Sequence, residues 1–196
     1  MKILRISRDN FKNILSKAVS LIGAGRVVVC PTDTVYGLIC DATNKRAVEK
    51  LFKVKQRQKD KPVPIFIKNI KAAKELAEIN KKQEKFLKKF WPGKVTAVLK
   101  RKGKRKIFGI GQETIGLRVP NYKFINLLLE RTDRPLVGTS ANISGYSVTT
   151  KISEVFRQFK NKKHQPDLAL DAGALKPSKP SKVVDLTSDV VKILRK

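Results

Sequence analysis

Residues 27–38 read VVVCPTDTVYGL, an apolar run that leads directly into a polar motif. The run VVVC at 27–30 predicts a buried strand, because short apolar runs bounded by turn signals are typical of strands covered on both faces. The motif PTDTVYGL at 31–38 then crowds hydroxyls and one carboxylate where this core strand ends. Ligands of open α/β sheets collect at the carboxyl ends of strands. The stretch therefore raises the question of whether the chain is an enzyme or a basic globular protein without catalytic activity.

Strands and helices alternate along the chain, which has 196 residues, enough for one substantial core. Apolar residues at helical spacing predict helices at 10–25, 43–55, 69–79, 81–91, 122–132 and 152–160. Apolar runs predict strands at 2–6, 27–30, 63–67, 95–100, 114–119, 135–140, 167–171, 182–187 and 190–195. This order predicts a single α/β (α+β) domain over 1–196. Because the last three strands follow one another with little helix between them, we expect a twisted, mixed sheet with flanking helices.

The chain is strongly basic, with 44 Lys and Arg against 16 Asp and Glu, a formal charge of +28. Such a charge attracts RNA, DNA, nucleotides or acidic membranes, although a lysine-rich surface that only keeps the protein soluble explains it equally well. The sequence lacks both a span of roughly 20 apolar residues and a secretory h-region. We expect Cys30 and Cys40 to be small buried residues of a protein in a reducing compartment. We expect His164, the single histidine, to be at the surface. We therefore expect a cytoplasmic protein with no membrane partner.

A second polar segment, KVKQRQKDKP at 53–62, carries Lys55 and Arg57 where a helix passes toward a strand. On a helix these two cations would diverge, whereas in an extended chain they would share one side. Several cations on one side suit a polyphosphate. The alternative is a solvated basic loop.

A third segment, GLRVP at 116–120, places Arg118 among apolar neighbours, where a half-buried guanidinium needs an anion. That anion is either a ligand carboxylate or an internal partner such as Asp33, Asp41 or Glu113. The fourth segment is GTSANISG at 138–145. Its serine and asparagine donors, among small neighbours, indicate contacts to phosphate or ribose oxygens, or else an ordinary turn.

Several standard motifs are absent from the sequence. There is no Walker A pattern, and GIGQETIG at 109–116 precedes a strand rather than a helix, which disqualifies it as a dinucleotide fingerprint. The single histidine is in a lysine-rich loop, which leaves no convincing Ser/His/Asp set. The basic, glycine-containing segment 101–113 predicts a mobile lid. The residues alone thus indicate an α/β domain that gathers hydroxyls and cations around an anionic ligand.

The polar segments, in this order, resemble the YrdC-like family of L-threonylcarbamoyladenylate synthases. PTDTVYGL is similar to the family's N-terminal signature, Lys55-Gln56-Arg57 to its K-x-R element, and Ser140-Ala141-Asn142 to its S-x-N element. Further counterparts are WPGKVT (91–96), GLRVP (116–120), PSKVVDL (180–186) and ILR (193–195). The likeness runs from about residue 10 to the C-terminus and matches the short, single-domain type.

The resemblance implies a twisted sheet curved around a basic cavity that converts L-threonine, bicarbonate and ATP into threonylcarbamoyl-AMP and pyrophosphate, with Mg²⁺ assisting. It also implies a separate transferase complex that passes the threonylcarbamoyl group to tRNA. The alternative is a basic module that binds tRNA or double-stranded RNA without catalysis, and the two activities could coexist.

The resemblance also implies roles for particular residues. The expected catalytic residues are Lys55, Arg57, Ser140 and Asn142. The expected ATP-binding residues are Lys55, Arg57, Thr114, Ser140, Asn142, Ser147 and Arg195, with the three cations on the triphosphate. The expected threonine-binding residues are Thr32, Arg118, Gly138 and Ser181, with Arg118 on the carboxylate. No protein ligand for a metal is expected. Lys182 departs from the family, which usually has a small hydroxyl residue there, and this weakens the assignment of Ser181.

Overall fold

The computed structural model describes residues 1–103 and 106–196. Within these ranges it has six helices and ten strands. The helices are α1 (Phe11–Gly23), α2 (Lys45–Lys55), α3 (Ile70–Leu76), α4 (Lys81–Phe90), α5 (Lys123–Thr132) and α6 (Ile152–Phe159). The strands are β1 (Lys2–Arg5), β2 (Val28–Cys30), β3 (Gly37–Asp41), β4 (Ile65–Phe66), β5 (Val95–Lys100), β6 (Thr114–Arg118), β7 (Leu136–Ser140), β8 (Leu168–Asp171), β9 (Lys182–Asp185) and β10 (Lys192–Arg195).

All ten strands join one sheet in the order β1-β8-β2-β3-β7-β4-β6-β5-β9-β10. Parallel pairs (β1–β8, β8–β2, β4–β6, β5–β9) are mixed with antiparallel ones, which confirms the predicted mixed α/β sheet. Strand β3 is absent from the sequence-based prediction. It pairs antiparallel with both β2 and β7, so the motif at 31–36 is the loop of a β2–β3 hairpin.

Alternating side chains divide between two apolar clusters, one on each face of the sheet. Val29, Leu38 and Cys40 belong to the cluster covered by α2, α3, α4 and α6. Val28 and Ile39 belong to the other cluster, which α1 and α5 cover. This period-2 division follows from the pleat of a strand, and it explains why the run at 27–30 is apolar at every position.

The helix that leads to the second polar segment begins and ends with identifiable local signals. The Asn44 side chain caps α2 by accepting a hydrogen bond from the Ala47 amide at 3.1 Å. At the other end, Gln56 has a left-handed backbone with φ of 49°, which stops the helix. Lys55 is therefore the last helical residue and Arg57 follows the cap, so the two are on neither a continuous helix nor an extended strand.

The described part of the segment 101–113 is bound to the body of the protein. The Arg101 amide donates to Glu113 O at 2.8 Å and the Phe108 amide donates to Ala42 O at 2.9 Å. Ile107 between them is buried. The predicted lid also includes residues 104 and 105, which lie outside the described residues.

Among the residues that the structure describes, no helix combines the length and the apolar character needed to cross a membrane.

Candidate functional site

A cavity of about 620 Å³ opens where the four polar segments meet. This volume is within the range of roughly 300–1,000 Å³ typical of small-molecule sites. It lies at the ends of β2, β6 and β7, beside the C-terminus of α2, and is closed by residues near β9 and β10. The lining residues are Thr32, Thr34, Val35, Tyr36, Gly37, Lys55, Gln56, Arg57, Gln58, Lys61, Pro64, Phe66, Arg118, Gly138, Thr139, Ser140, Asn142, Ser144, Gly145, Pro180, Ser181 and Arg195.

The hydroxyls of the opening motif hold its loop together. Thr32 Oγ1 donates to Val35 O at 2.7 Å and accepts from the Thr34 amide at 3.1 Å. Both threonines are buried. The Tyr36 hydroxyl donates to Gly173 O at 2.7 Å, which ties the loop to the end of β8. The hairpin thus presents a rigid wall to the cavity.

Arg118, at the end of β6, forms the internal pair that the sequence left open. Its Nη2 donates to Asp33 Oδ1 at 2.7 Å and its Nε donates to Gly93 O at 2.9 Å. Its side chain is only 4% exposed, yet it lines the cavity. Burial lowers the pKa of Arg118 and the Asp33 carboxylate opposes that shift. The charge of Arg118 is therefore largely compensated, and its position is set on two sides.

Lys55 is buried against the end of β7 and the residues that follow it. Its Nζ donates to Ser140 O at 2.7 Å and to Asn142 Oδ1 at 2.8 Å, with Asn142 O at 3.1 Å and Ser140 Oγ at 3.3 Å. All four acceptors are neutral oxygens, and the residue is 3% exposed. Burial, followed by the nearby charge of Arg57, lowers the pKa of Lys55 to about 7. Lys55 thus joins the K-x-R element to the S-x-N element by hydrogen bonds.

Two further arginines, Arg57 and Arg195, contribute to the basic lining, and backbone carbonyls hold both. Arg57 donates through Nε to Lys61 O at 2.8 Å and through Nη2 to Pro62 O at 3.0 Å. Arg195 donates through Nε to Ser181 O at 2.9 Å and through Nη2 to the same oxygen at 2.7 Å. Burial is the main cause that lowers the pKa of each.

The cavity therefore carries uncompensated positive charge. Of the described carboxylates, none forms an ion pair with Lys55, Arg57 or Arg195, whereas Arg118 is paired with Asp33. Among the described residues that line the cavity, none is acidic. Of these three cations Lys55 is buried, Arg57 is half-buried and Arg195 is exposed. Cations that line a cavity and are held only by neutral oxygens favour a ligand with several negative charges.

The structure brings together most of the residues predicted from sequence. Nine of them line the cavity: Thr32, Lys55, Arg57, Arg118, Gly138, Ser140, Asn142, Ser181 and Arg195. Thr114 and Ser147 are not among the lining residues. Thr114 begins β6, at the opposite end of that strand from Arg118, and Ser147 is exposed.

Phe66 is the main lining residue that sequence reasoning missed. It belongs to the predicted apolar strand 63–67 and looks like an ordinary core residue there. Only the register of β4 with its neighbours brings its ring to the cavity, so no signal in the sequence could have identified it.

The donor set does not suit a metal held by the protein. Across residues 1–103 and 106–196, three or more His, Cys, Asp or Glu side chains nowhere group as metal ligands. Protein-bound Mg²⁺ usually requires one or two carboxylates. The expected Mg²⁺ fits this cavity only as part of a metal–nucleotide substrate.

Known proteins similar to this chain include a curated protein of Methanocaldococcus jannaschii, provisionally named a threonylcarbamoyl-AMP synthase. It is 33% identical over 196 residues, which cover 100% of this chain and 91% of the relative. The curated threonylcarbamoyl-AMP synthase of Pyrococcus abyssi is 35% identical over 172 residues, 87% of this chain. This chain spans only 50% of that relative's length.

Solved structures of the same group of proteins also match this chain. The structure of Pyrococcus abyssi Sua5 complexed with L-threonine matches with a TM-score of 0.87 at 32% identity, over 99% of this chain and 56% of that chain. The structure of Escherichia coli YciO matches with a TM-score of 0.86 at 24% identity, a likeness of fold. The model of the Sua5, YciO and YrdC family, described as "Telomere recombination", matches residues 20–196. The chain therefore belongs to the Sua5/YciO/YrdC family.

Proposed function

We propose that this protein is an L-threonylcarbamoyladenylate synthase, which forms threonylcarbamoyl-AMP and pyrophosphate from L-threonine, bicarbonate and ATP. The relatives from Methanocaldococcus jannaschii and Pyrococcus abyssi carry the name of this activity, and one solved structure of the family is a complex with L-threonine.

The observation that carries the proposal is the division of charge inside the cavity. Lys55, Arg57 and Arg195 form no ion pair with a described carboxylate, although Asp60 acts electrostatically on Arg57, and so they favour a polyanion, whereas Arg118 is already paired. ATP supplies a triphosphate for the first three. An amino acid, with one carboxylate and one ammonium group, suits the compensated environment around Arg118 and Asp33.

The amino-acid side of the cavity would use the donors that remain on Arg118. A guanidinium has five N–H donors. Gly93 O, Asp33 Oδ1 and, at 3.5 Å, Thr34 Oγ1 accept three of them. One N–H on each terminal nitrogen is left for the threonine carboxylate. Thr32 supports the wall of this subsite, and Ser181, whose Oγ lies 2.9 Å from Thr96 Oγ1, supports the opposite side.

The chemistry requires positioning and charge neutralisation rather than a dedicated base. The threonine amine and bicarbonate give a carbamate and water, and a carbamate oxygen then attacks the α-phosphorus while pyrophosphate leaves. The carbamate is already an anion, so the nucleophile needs no further deprotonation. Lys55, Arg57 and Arg195 would neutralise the charge that accumulates on the departing pyrophosphate. Mg²⁺ would enter with ATP as part of the substrate.

A pyrophosphate-release assay with each substrate omitted in turn tests the proposal. Release should require ATP, threonine and bicarbonate together, and equal release without threonine would contradict the assignment. Arg57→Ala should reduce kcat/KM more than about tenfold, since removal of a charge clamp costs a few kcal/mol. Lys59→Ala is the matched control, because Lys59 is in the same segment but exposed and outside the lining.

The wider setting is part of the same proposal. We place residues 1–196 in a single domain, which the joining of all described strands in one sheet supports. We also propose a cytoplasmic location for this domain. The product would pass to a threonylcarbamoyl transferase complex that modifies tRNA. The formal charge of +28 supports contact with tRNA as an additional property, and salt-dependent binding to tRNA without affinity for ATP or threonine would favour the purely RNA-binding alternative.

A further inference from the structure

The floor of the amino-acid side of the cavity is formed by residues from three neighbouring strands. Phe66 on β4 is directly opposite Arg118 on β6 and directly opposite Leu136 on β7. Gly138 is two residues beyond Leu136, so it is the diagonal neighbour of Phe66 on the same face of the sheet. Strand register thus places one aromatic ring between a guanidinium and a glycine.

The Phe66 ring supports the Arg118 guanidinium. Arg118 Cζ lies over the ring at 5.5 Å from its centroid, within the range of a cation–π contact. Hydrogen bonds fix the guanidinium at Gly93 O and Asp33 Oδ1, and the ring supports its face. The ring is buried in the cluster beneath α1 and α5. It therefore has little freedom to tilt.

The ring keeps this place only because Gly138 has no side chain. A Cβ added at Gly138 would lie 2.5 Å from three ring atoms of Phe66, whereas ordinary contacts begin at 3.4 Å. The ring would have to retreat by about 0.9 Å, the difference between these two distances. Because the Gly138 amide donates to Pro64 O at 3.0 Å, its backbone is tied to the segment that precedes β4 and yields less easily than the ring.

We propose that Phe66 and Gly138 are positioning residues for the amino-acid substrate: the ring, seated on the bare backbone of Gly138, holds Arg118 where its two remaining N–H groups meet the carboxylate. The inference rests on the proposed function, since it assigns the amino-acid carboxylate to Arg118. It explains the glycine as a requirement for space around Phe66 and gives Phe66 a role beyond core packing.

The experiment compares Gly138→Ala with Gly116→Ala. Gly116 is on β6, where an added Cβ would meet Thr96 Cγ2 at 3.6 Å, an ordinary contact. Gly138→Ala should raise the threonine KM more than about tenfold and change the ATP KM less than about twofold, since a displacement near 1 Å at a positioning group costs on that order or more. Gly116→Ala should change neither. Phe66→Leu should raise the threonine KM about 2- to 30-fold.

A double variant tests whether the glycine acts through the ring. Because leucine has no ring to displace, Gly138→Ala should add little to the effect of Phe66→Leu. Independent, multiplicative effects would overturn the inference. Thermal unfolding of every variant identifies any rise in the threonine KM that comes from misfolding.

A second readout does not depend on activity. The Nε–H of Arg118, hydrogen-bonded to Gly93 O, should give a protected NMR signal that the ring current of Phe66 shifts. Gly138→Ala should move this signal and Gly116→Ala should not. An unmoved signal together with an unchanged threonine KM in Gly138→Ala overturns the inference.

If the unmodified protein releases no pyrophosphate, the proposed function is wrong and calorimetric titration with threonine decides the inference. Absence of threonine binding overturns it as well, whereas binding that Gly138→Ala weakens and Gly116→Ala preserves supports it.

Discussion

Lys55 should couple the binding of ATP to the uptake of a proton. The residue is 3% exposed, its Nζ has only neutral oxygens as acceptors, and its pKa is lowered to about 7 by burial and by Arg57. A triphosphate beside it favours the ammonium form. ATP binding should therefore raise the pKa of Lys55 and draw a proton from solution.

The size of the effect follows from that pKa. In the free protein, the protonated fraction of Lys55 is about 0.9 at pH 6, about 0.5 at pH 7 and about 0.1 at pH 8. One phosphate charge about 4 Å away contributes about 4 kcal/mol at an effective dielectric constant of about 20, which raises the pKa by about 3. ATP binding should then take up about 0.1, 0.5 and 0.9 protons at the three pH values. The affinity for ATP falls as pH rises above 7.

Calorimetric titration with ATP in buffers of different ionisation enthalpy measures this uptake. The quantity of interest is the difference between the unmodified protein and Lys55→Met, because ATP and other groups titrate equally in both. Lys59→Met is the control for removal of a neighbouring exposed charge. Equal uptake at pH 8 by the unmodified protein and Lys55→Met would refute the reasoning, because it would show that Lys55 is already protonated or far from the phosphates.

Three further outcomes are expected. Asp33→Asn leaves the buried Arg118 without its counter-charge and should lower the free energy of unfolding by about 3–5 kcal/mol in urea titrations; a change below about 1 kcal/mol would show that the pair contributes little. Cys30 and Cys40 are buried, and burial raises the pKa of both thiols, so neither should react with a thiol reagent at pH 8 until the protein is denatured. Ser147→Ala should leave the ATP KM within about twofold, because this exposed residue is not among those lining the cavity, and a larger rise would place its hydroxyl on the nucleotide.

Much of the fold could be predicted from the sequence because local patterns indicate it. The apolar period of 3.6 predicted all six described helices, and the runs at 27–30 and 95–100 predicted buried strands. Strand β3 was missed because GLICD at 37–41 directly follows a polar loop and begins with glycine. Its strand conformation comes from pairing with β2 and β7, which are close in space but, for β7, remote in sequence.

The candidate site was predictable to the extent that its residues occur in short motifs. Lys55, Arg57, Ser140 and Asn142 could be selected because charges and small polar residues at strand ends are unusual. Their hydrogen bonds could not be predicted. The contact of Lys55 Nζ with Ser140 and Asn142 joins residues 85 and 87 positions apart, so it depends on how the end of the helix packs against a remote strand.

The sequence by itself determined the class of fold, the positive charge and the set of polar residues that gather around an anion. The reason is that composition, periodicity and motif order are all visible in the sequence of residues without knowledge of contacts in space. Only the tertiary structure decided how that charge is distributed. It paired Arg118 with Asp33, left Lys55, Arg57 and Arg195 with neutral acceptors, and placed the Phe66 ring against Gly138. The reason is that ion pairing, desolvation and close packing depend on distances between strands that the chain order does not specify.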